Sequence, residues 1–311
     1  MNAQRALLHG VHRALAPAKI NLGLFVGPLR ERDGRHELVS VMQSISLADE
    51  LTLVAAAGEE ERDEVSCPGV PGARGENLAA RALGLFRERA GWRTGGLRLS
   101  IVKRIPVAGG LAGGSADAAA TLRLASEASG LGDEQLLQEL ARELGADVPA
   151  QLRPGRWLAS GAGERLHALP APSAPLGVLV LALPAALSTA AVYREADRLG
   201  VARPAEELER WRERAGEAFA RGARLPDEAE LLHNDLQRAA VSLCPAIEDA
   251  LEQARAAGAR AALVSGSGPT VLGLFDDPAG ARAAAASLAG RTPAPLWAAS
   301  LDGERARAHT P

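Results

Sequence analysis

The sequence predicts an α+β protein built as two packed domains. Three observations carry this. Sheet-like and helix-like segments are mixed in both halves of the chain. Proline and glycine cluster in one long stretch, 152–175, between two regions of ordinary globular composition. The chain has 311 residues, 47% of them hydrophobic, enough for one large or two medium domains with a well-buried core.

Each segment has its own signal. Residues 13–27, RALAPAKINLGLFVG, alternate apolar and small residues as a half-buried strand does. DGRHELVSVMQSISL at 33–47 opens with a turn signal and continues as a strand, and DELTLVAA at 49–56 reads as another. Residues 75–91 present a helical apolar face through Leu78, Ala82, Leu85 and Phe86, closed by Gly91. Residues 95–106 alternate Leu97, Leu99 and Ile101 as a strand that leads into a glycine-rich stretch. An amphipathic helix follows at 133–145, with Leu136, Leu140 and Leu144 one turn apart and Gly145 at its end. The domain boundary is expected inside 152–175. Beyond it come a buried strand at 177–183 and helices at about 190–200, 204–221, 227–240 and 245–258. A strand–loop–strand at 260–277, a helix to about 289 and a strand near 295–301 complete the chain.

Bulk composition excludes some functions. A net charge of −3 and 3% aromatic residues give no reason to expect a nucleic-acid or anionic-membrane partner. No apolar run is long enough to span a bilayer, and the first fifteen residues lack the pattern of a signal peptide. Cys67 and Cys244 have neither metal-site spacing nor a disulfide framework, so a reducing cytoplasm is expected. One bias is informative. Of 35 basic residues only Lys19 and Lys103 are lysine. A lysine kept in an arginine-writing chain is either chance or a place that needs a compact ammonium.

PVAGGLAGGSADAAATL, at 106–122, lies between a strand and a helix. Gly109, Gly110, Gly113 and Gly114 let backbone N–H groups approach a ligand without an intervening Cβ. A helix expected from about Ser115 would aim its unpaired N–H groups and positive dipole end at the same point. Together these make a site suited to a di- or triphosphate. Ser115 would offer a hydroxyl to a phosphate or a metal-bound water, or simply cap the helix, and Asp117 in the first turn would complement the dipole. The stretch is neither a Walker A loop nor a dinucleotide fingerprint. The duller reading is a glycine turn for helix packing.

Lys19 stands mid-strand among apolar neighbours, where an unpaired ammonium is costly unless it faces a polar cleft. Asn21, two residues on, shares its face. Asp147 lies just past a helix end beside Pro149, the usual place for a capping aspartate. The sharper expectation is that Lys19 and Asp147 meet beside the phosphate loop, the carboxylate as general base and the ammonium offsetting phosphate charge.

Three motifs together carry a resemblance. PAKINL (17–22), PVAGGLAGGSADAA (106–119) and VSGSGPTV (264–271) resemble the signature motifs of the GHMP small-molecule kinases. DGRHEL (33–38), LGADVP (144–149) and NDLQ (234–237) are similar to the 4-diphosphocytidyl-2-C-methyl-D-erythritol kinase family within them, in order over nearly the whole chain. The resemblance implies a two-domain GHMP kinase fold. Residues 1–163 would be a ribosomal protein S5 domain 2-like ATP-binding domain, and 164–311 an α/β sandwich substrate domain. It implies transfer of the ATP γ-phosphate, with Mg²⁺, to the 2-hydroxyl of diphosphocytidyl methylerythritol in the non-mevalonate isoprenoid pathway. The matching base is Asp147 and the matching lysine Lys19. The phosphate loop matches Pro106, Val107, Ala108, Gly109, Gly110, Leu111, Ala112, Gly113, Gly114, Ser115 and Ala116. Asn77 and Lys103 fall at the adenosine end, and Asn21, His36, Thr189 and Tyr193 where the cytidine-diphosphate substrate is held. Gly266, Ser267 and Gly268 form a third glycine turn over the substrate side. The metal ligands are not implied.

His36 could otherwise be a turn histidine beside Gly34, and Tyr193 a helix packing residue. Departures from the pattern are Arg35 in place of tyrosine, Arg156 and Trp157 in place of small residues, and Ala112 in place of glycine. Alternatives are a homoserine-, mevalonate- or sugar-type GHMP kinase, or a non-catalytic nucleotide-binding relative. A monomer or weak homodimer is expected.

Overall fold

The computed structural model describes residues 10–56, 62–70, 77–107 and 109–302. Ala108, one of the expected loop residues, lies outside them.

The first sheet is organised around β2 (His36–Ala55), which pairs antiparallel with β1 (His12–Leu29) along one edge. Its other edge takes β4 (Leu97–Val102) opposite residues 50–55 and β5 (Arg156–Ser160) opposite residues 40–43. The short parallel strand β3 (Glu64–Ser66) lies beyond β4, and β6 (Arg165–Leu169) beyond β5. The expected strands at 33–47 and 49–56 are thus one strand. Ala48 and Asp49 pair with Pro17 and Ala16 without a break.

Helices α1 (Leu78–Arg89), α2 (Gly113–Ser129) and α3 (Glu134–Leu144) cover one face of this sheet through a core that includes Leu53, Phe86, Leu99 and Leu122. Asn77 caps α1 by accepting from the Ala79 and Ala80 N–H groups, and Asp133 caps α3 from the Leu136 N–H. Gly130, with φ +65°, ends α2. The short helix α4 (Val148–Leu152) follows α3.

Proline and glycine at 152–175 do not make a linker throughout. Residues 156–169 form the β5–β6 hairpin of the first sheet, so position 163/164 falls inside its turn. The chain crosses to the second sheet at 170–176. That sheet has the order β10–β7–β9–β8, with β7 Gly177–Leu181, β8 Ala261–Val264, β9 Val271–Phe275 and β10 Pro295–Ala299. Helices α5 (Thr189–Leu199), α7 (Gln237–Leu243), α8 (Ala246–Ala256) and α9 (Pro278–Ser287) carry residues of the core that includes Leu179, Leu251 and Val271. A further core joins the two sheets, with Ile20, Leu22 and Val41 meeting Val178, Val180 and Leu272. Helix α6 (Ala205–Phe219) closes its edge with Leu208, Ala215 and Phe219.

The helix expected at 227–240 is instead a 3₁₀ turn at 229–231 followed by α7. Between them the backbone pairs with β1. Leu24 donates to the His233 carbonyl at 2.8 Å, and Asp235 N–H donates to the Leu24 carbonyl at 2.9 Å. The Asp235 carboxylate also accepts from Val26 N–H and from Arg203. These bonds satisfy the backbone outside a helix, which helical periodicity alone does not reveal.

Candidate active site

β1 changes face at its middle. Ala14 and Ala16 pack under the helices, whereas Ala18, Ile20 and Leu22 belong to the core between the sheets. The register against β2 slips between Pro17 and Lys19, so a β-bulge makes the switch. Consequently Lys19 and Asn21 leave the inter-sheet core and line a cleft of about 600 Å³. Lys19 Nζ donates to Asn21 Oδ1 at 3.0 Å, Asn21 Nδ2 to Ser40 Oγ at 2.6 Å, and Ser40 Oγ to the Gly23 carbonyl at 2.8 Å. This chain of bonds fixes the ammonium although only 9% of its side chain is exposed.

Asp147 stands at the start of α4, yet its carboxylate caps no backbone N–H. It faces Lys19 instead, with Oδ2 at 3.7 Å from Nζ. That separation is an ion pair without a direct hydrogen bond, and 36% of the Asp147 side chain is open to the cleft. A hydroxyl entering here meets a carboxylate with a lone pair free.

The glycine loop runs beside this couple. Lys19 N–H donates to the Leu111 carbonyl at 3.2 Å, tying β1 to the loop. Ser265 Oγ donates to the Gly110 carbonyl at 3.0 Å, tying the β8–β9 turn to it. Gly110 has φ +73°, and a Cβ there would overlap the Ser265 carbonyl oxygen. A Cβ on Gly109 would come within 2.7 Å of Thr270 Oγ1. The glycines therefore serve close approach of two turns from distant parts of the chain as well as access to the ligand. α2 begins at Gly113, two residues earlier than expected, with Ala112 left-handed at φ +54° and no side chain capping the end. Its first N–H groups thus remain for an anion, and Gly113, Gly114 and Ser115 all line the cleft. Ser115 lies within the first turn and caps nothing.

Asp117 is not in the first turn and does not serve the dipole. It is buried, 4% exposed, and accepts from Lys103 Nζ at 2.8 Å. Lys103 also donates to Asp49, a buried carboxylate whose Oδ1 accepts the Arg104 and Ile105 N–H groups at 2.6 and 2.9 Å. Two carboxylates thus share one ammonium. Pairing pushes Lys103 up, although burial opposes it. Asp117 is the carboxylate that yields. Its Oδ1 has no partner, and burial first, then the neighbouring Asp49, push its pKa up to about 7 against the pull of Lys103. Asp49 was not singled out from the sequence. Its signal is there, an acid two residues before Leu51 and four before Leu53 on the core face of a strand, which demands a cation.

The remaining expected residues divide. Asn77, Lys103, Pro106, Val107, Leu111 and Ala112 line the cleft, the Asn77 Oδ1 being occupied by its cap. Ala116, 1% exposed, is packed in the core of α2. Thr189, Tyr193, Gly266, Ser267 and Gly268 line the cleft from the second half, with Thr189 Oγ1 and Ser267 Oγ 3.1 Å apart. Burial first, then Asp147, push the Tyr193 phenol up to about 12. His36 is not on the cleft wall. It stacks on Tyr193 at 5.4 Å, its Nδ1 bonds the Gly27 carbonyl at 2.8 Å, and its Nε2 lies 2.9 Å from Asp197 Oδ1 without hydrogen-bond alignment. Arg35 donates to the Ala162 carbonyl at the cleft rim. Arg156 and Trp157 point elsewhere. Arg156 is buried against Phe219 and bonds Gln43 and the Ala223 and Arg224 carbonyls, and Trp157 bonds the Arg153 carbonyl.

Comparison with known proteins bears on this geometry. The GHMP kinases N terminal domain matches residues 77–155, and the GHMP kinases C terminal domain matches 205–293. A 4-diphosphocytidyl-2-C-methyl-D-erythritol kinase of Anaeromyxobacter dehalogenans (strain 2CP-C) is 42% identical over 284 residues, covering 89% of this chain and 85% of that protein. This chain belongs to the 4-diphosphocytidyl-2-C-methyl-D-erythritol kinase family of GHMP kinases. A family member from Streptomyces coelicolor is 45% identical over 272 residues, covering 84% of this chain and 86% of its own. A crystal structure of 4-(cytidine 5'-diphospho)-2C-methyl-D-erythritol kinase matches with a TM-score of 0.75 and 37% identity, covering 93% of this chain and 98% of that one. A homoserine kinase from Cytophaga hutchinsonii shares the fold, with a TM-score of 0.70 at 17% identity over 97% of this chain and 96% of its own. As a member of this kinase family, the protein is an ATP-dependent small-molecule kinase with the two-domain GHMP fold.

Proposed function

We propose that this protein phosphorylates the 2-hydroxyl of 4-diphosphocytidyl-2-C-methyl-D-erythritol with ATP, giving the 2-phosphate and ADP in the non-mevalonate route to isoprenoid precursors. The observation that carries the chemistry is the Lys19–Asp147 couple, 3.7 Å apart beside a helix start whose main-chain amides lack a side-chain cap. The substrate assignment rests on the relatives named above.

The triphosphate lies along the loop, its oxygens on the amides of Gly109 to Ser115 at the positive end of α2. Asn77 and Lys103 lie towards the adenosine end. The acceptor hydroxyl sits between Asp147 and the terminal phosphorus. Its oxygen forms the new P–O bond, the bond to the β-phosphate oxygen breaks, and its proton passes to Asp147. A positioned base contributes roughly 10²–10⁴-fold. Lys19, held by Asn21, offsets charge on the transferred group, which stands in line between nucleophile and leaving group. Tyr193, Thr189, Ser267 and the Gly266–Gly268 turn hold the cytidylyl substrate, with His36 behind Tyr193 fixing its ring.

The donor set fits Mg²⁺ arriving with the nucleotide. Among the described residues no group of three or more His, Cys, Asp or Glu could hold a metal. Mg²⁺ takes few protein ligands beside phosphate oxygens and water, and the Ser115 hydroxyl on the cleft wall would supply one. When bound, the ion neutralises phosphate charge. We also propose that the enzyme works in the cytoplasm as a monomer or weak homodimer, without nucleic-acid or membrane partners.

Phosphorus NMR of protein, Mg²⁺, ATP and the diphosphocytidyl substrate tests the reaction. A new phosphomonoester resonance should grow with ADP. ADP release with homoserine or mevalonate instead, or ATP binding without turnover, would remove the assignment.

A further inference from the structure

A second cavity, of about 430 Å³, shares no lining residue with the catalytic cleft. The second half of α2, the first turns of α3, the start of β1 and the exit of α4 form its walls. Arg123 of α2 lines it. The guanidinium donates from Nη1 to the Gln151 carbonyl at 2.7 Å and from Nη2 to the Leu15 carbonyl at 2.8 Å. Both partners are neutral. Desolvation alone moves its pKa, down to about 10, with no carboxylate opposing it among the described residues. A guanidinium has five N–H donors, so a donor edge remains.

Arg156 offers a control within the same molecule. Its pKa too is lowered to about 10 by desolvation, but it is buried where Arg123 is part-buried, contacts three acceptor groups and lies 4.8 Å over the Phe219 ring. It lines neither of the two cavities described. Arg123 has only two acceptors and a cavity in front of it. A desolvated cation in that position favours an anion from solution.

The surroundings set the class of anion. Leu15, Leu124, Leu137 and Pro154 give the cavity an apolar lining. Arg153 there is already paired with Glu134 at 2.5 Å. Glu127 and Asp133 also line the cavity, and their charge opposes a multiply charged ligand such as a diphosphate. We propose that this cavity binds a small, singly charged organic carboxylate with an apolar body, its carboxylate on the free edge of Arg123.

Sodium benzoate is a suitable probe and benzamide its neutral counterpart. Calorimetry on the full chain should show saturable benzoate binding, with benzamide at least about tenfold weaker because it lacks the charge-assisted bonds. Benzoate should also raise Tm, since it binds the folded state. An ATP analogue should not displace it. Arg123→Met should abolish the preference for benzoate. Gln138 also lines the cavity, and Gln138→Trp keeps Arg123 while narrowing it, so this variant should lose benzoate binding while keeping ATP-analogue affinity, and it decides the matter if the Arg123 variant does not fold. Equal binding of benzoate and benzamide, competition by the ATP analogue, benzoate binding that survives Gln138→Trp, or no saturable binding would each overturn the proposal.

Discussion

Lys19 and Lys103 are the only lysines of the chain, both reach the same cleft, and they are held in different ways. Lys19 has one carboxylate partner, at 3.7 Å and partly exposed, and is steered by a neutral amide. Lys103 is clamped between two buried carboxylates whose joint charge exceeds its own. The difference teaches which ammonium is free to act. Charge on Lys19 is available to a phosphate, whereas charge on Lys103 is consumed in joining β2, β4 and α2 behind the loop. A Cβ on Gly113 would lie 3.2 Å from Ile105 Cγ2 and 3.3 Å from Lys103 Nζ, so the first residue of α2 packs tightly against the clamp.

The comparison is open to breaking at its active end first. Asp147→Asn should lower kcat by about 10²–10⁴-fold while an ATP analogue still binds with wild-type affinity. Near-normal turnover would remove Asp147 as base. At the structural end, Lys103→Met should act mainly on stability. It strands two buried carboxylates, and removal of one partner of a buried ion pair costs about 3–5 kcal/mol, read as a fall in the urea midpoint. A fall in kcat with unchanged stability would instead make Lys103 a catalytic group.

Part of this contrast was legible in the sequence. Scarcity of lysine marked both positions, and the glycine stretch marked the loop. Asp147 was visible only through its motif, because an aspartate beside a helix end is usually a cap. The Lys103 clamp was not anticipated, since Asp49 sits in a strand and Asp117 in a helix far along the chain. The β5–β6 hairpin lies inside the stretch expected to hold the domain boundary because Pro154, Gly155, Gly161 and Gly163 imitate a linker, while its pairing with β2 is set by long-range register. The segment at 227–240 looked helical because its pairing partner, Leu24, is more than two hundred residues away. What sequence periodicity conveys is local, and these features are long-range.

A subtler test concerns pH. The native state holds the Asp117 proton more tightly than an ordinary carboxylate, at about 7 against 3.8. Between those values the folded protein binds more protons than the unfolded chain, so the Asp117 contribution to stability falls as pH rises from about 4 to about 7. Asp117→Asn keeps the shape and an acceptor for Lys103. Its Tm should vary less across that window than that of the wild type, and an unchanged pH slope would show that Asp117 is ionised throughout. The smallest expected effect is at Ala112, whose left-handed backbone strains an L-residue by roughly 1–2 kcal/mol. Ala112→Gly relieves that strain but adds chain entropy on unfolding, so Tm should change by no more than a few degrees and upward. A drop would mean that the methyl group packs more than it strains.

The arrangement of loop and couple is tested most directly by a crystal structure with a non-hydrolysable ATP analogue and the diphosphocytidyl substrate. The expected density puts the terminal phosphate on the amides of Gly109 to Ser115 and the acceptor hydroxyl in hydrogen-bond reach of Asp147, with Lys19 beside both. A triphosphate bound away from that loop, or an acceptor hydroxyl turned from Asp147, would contradict it.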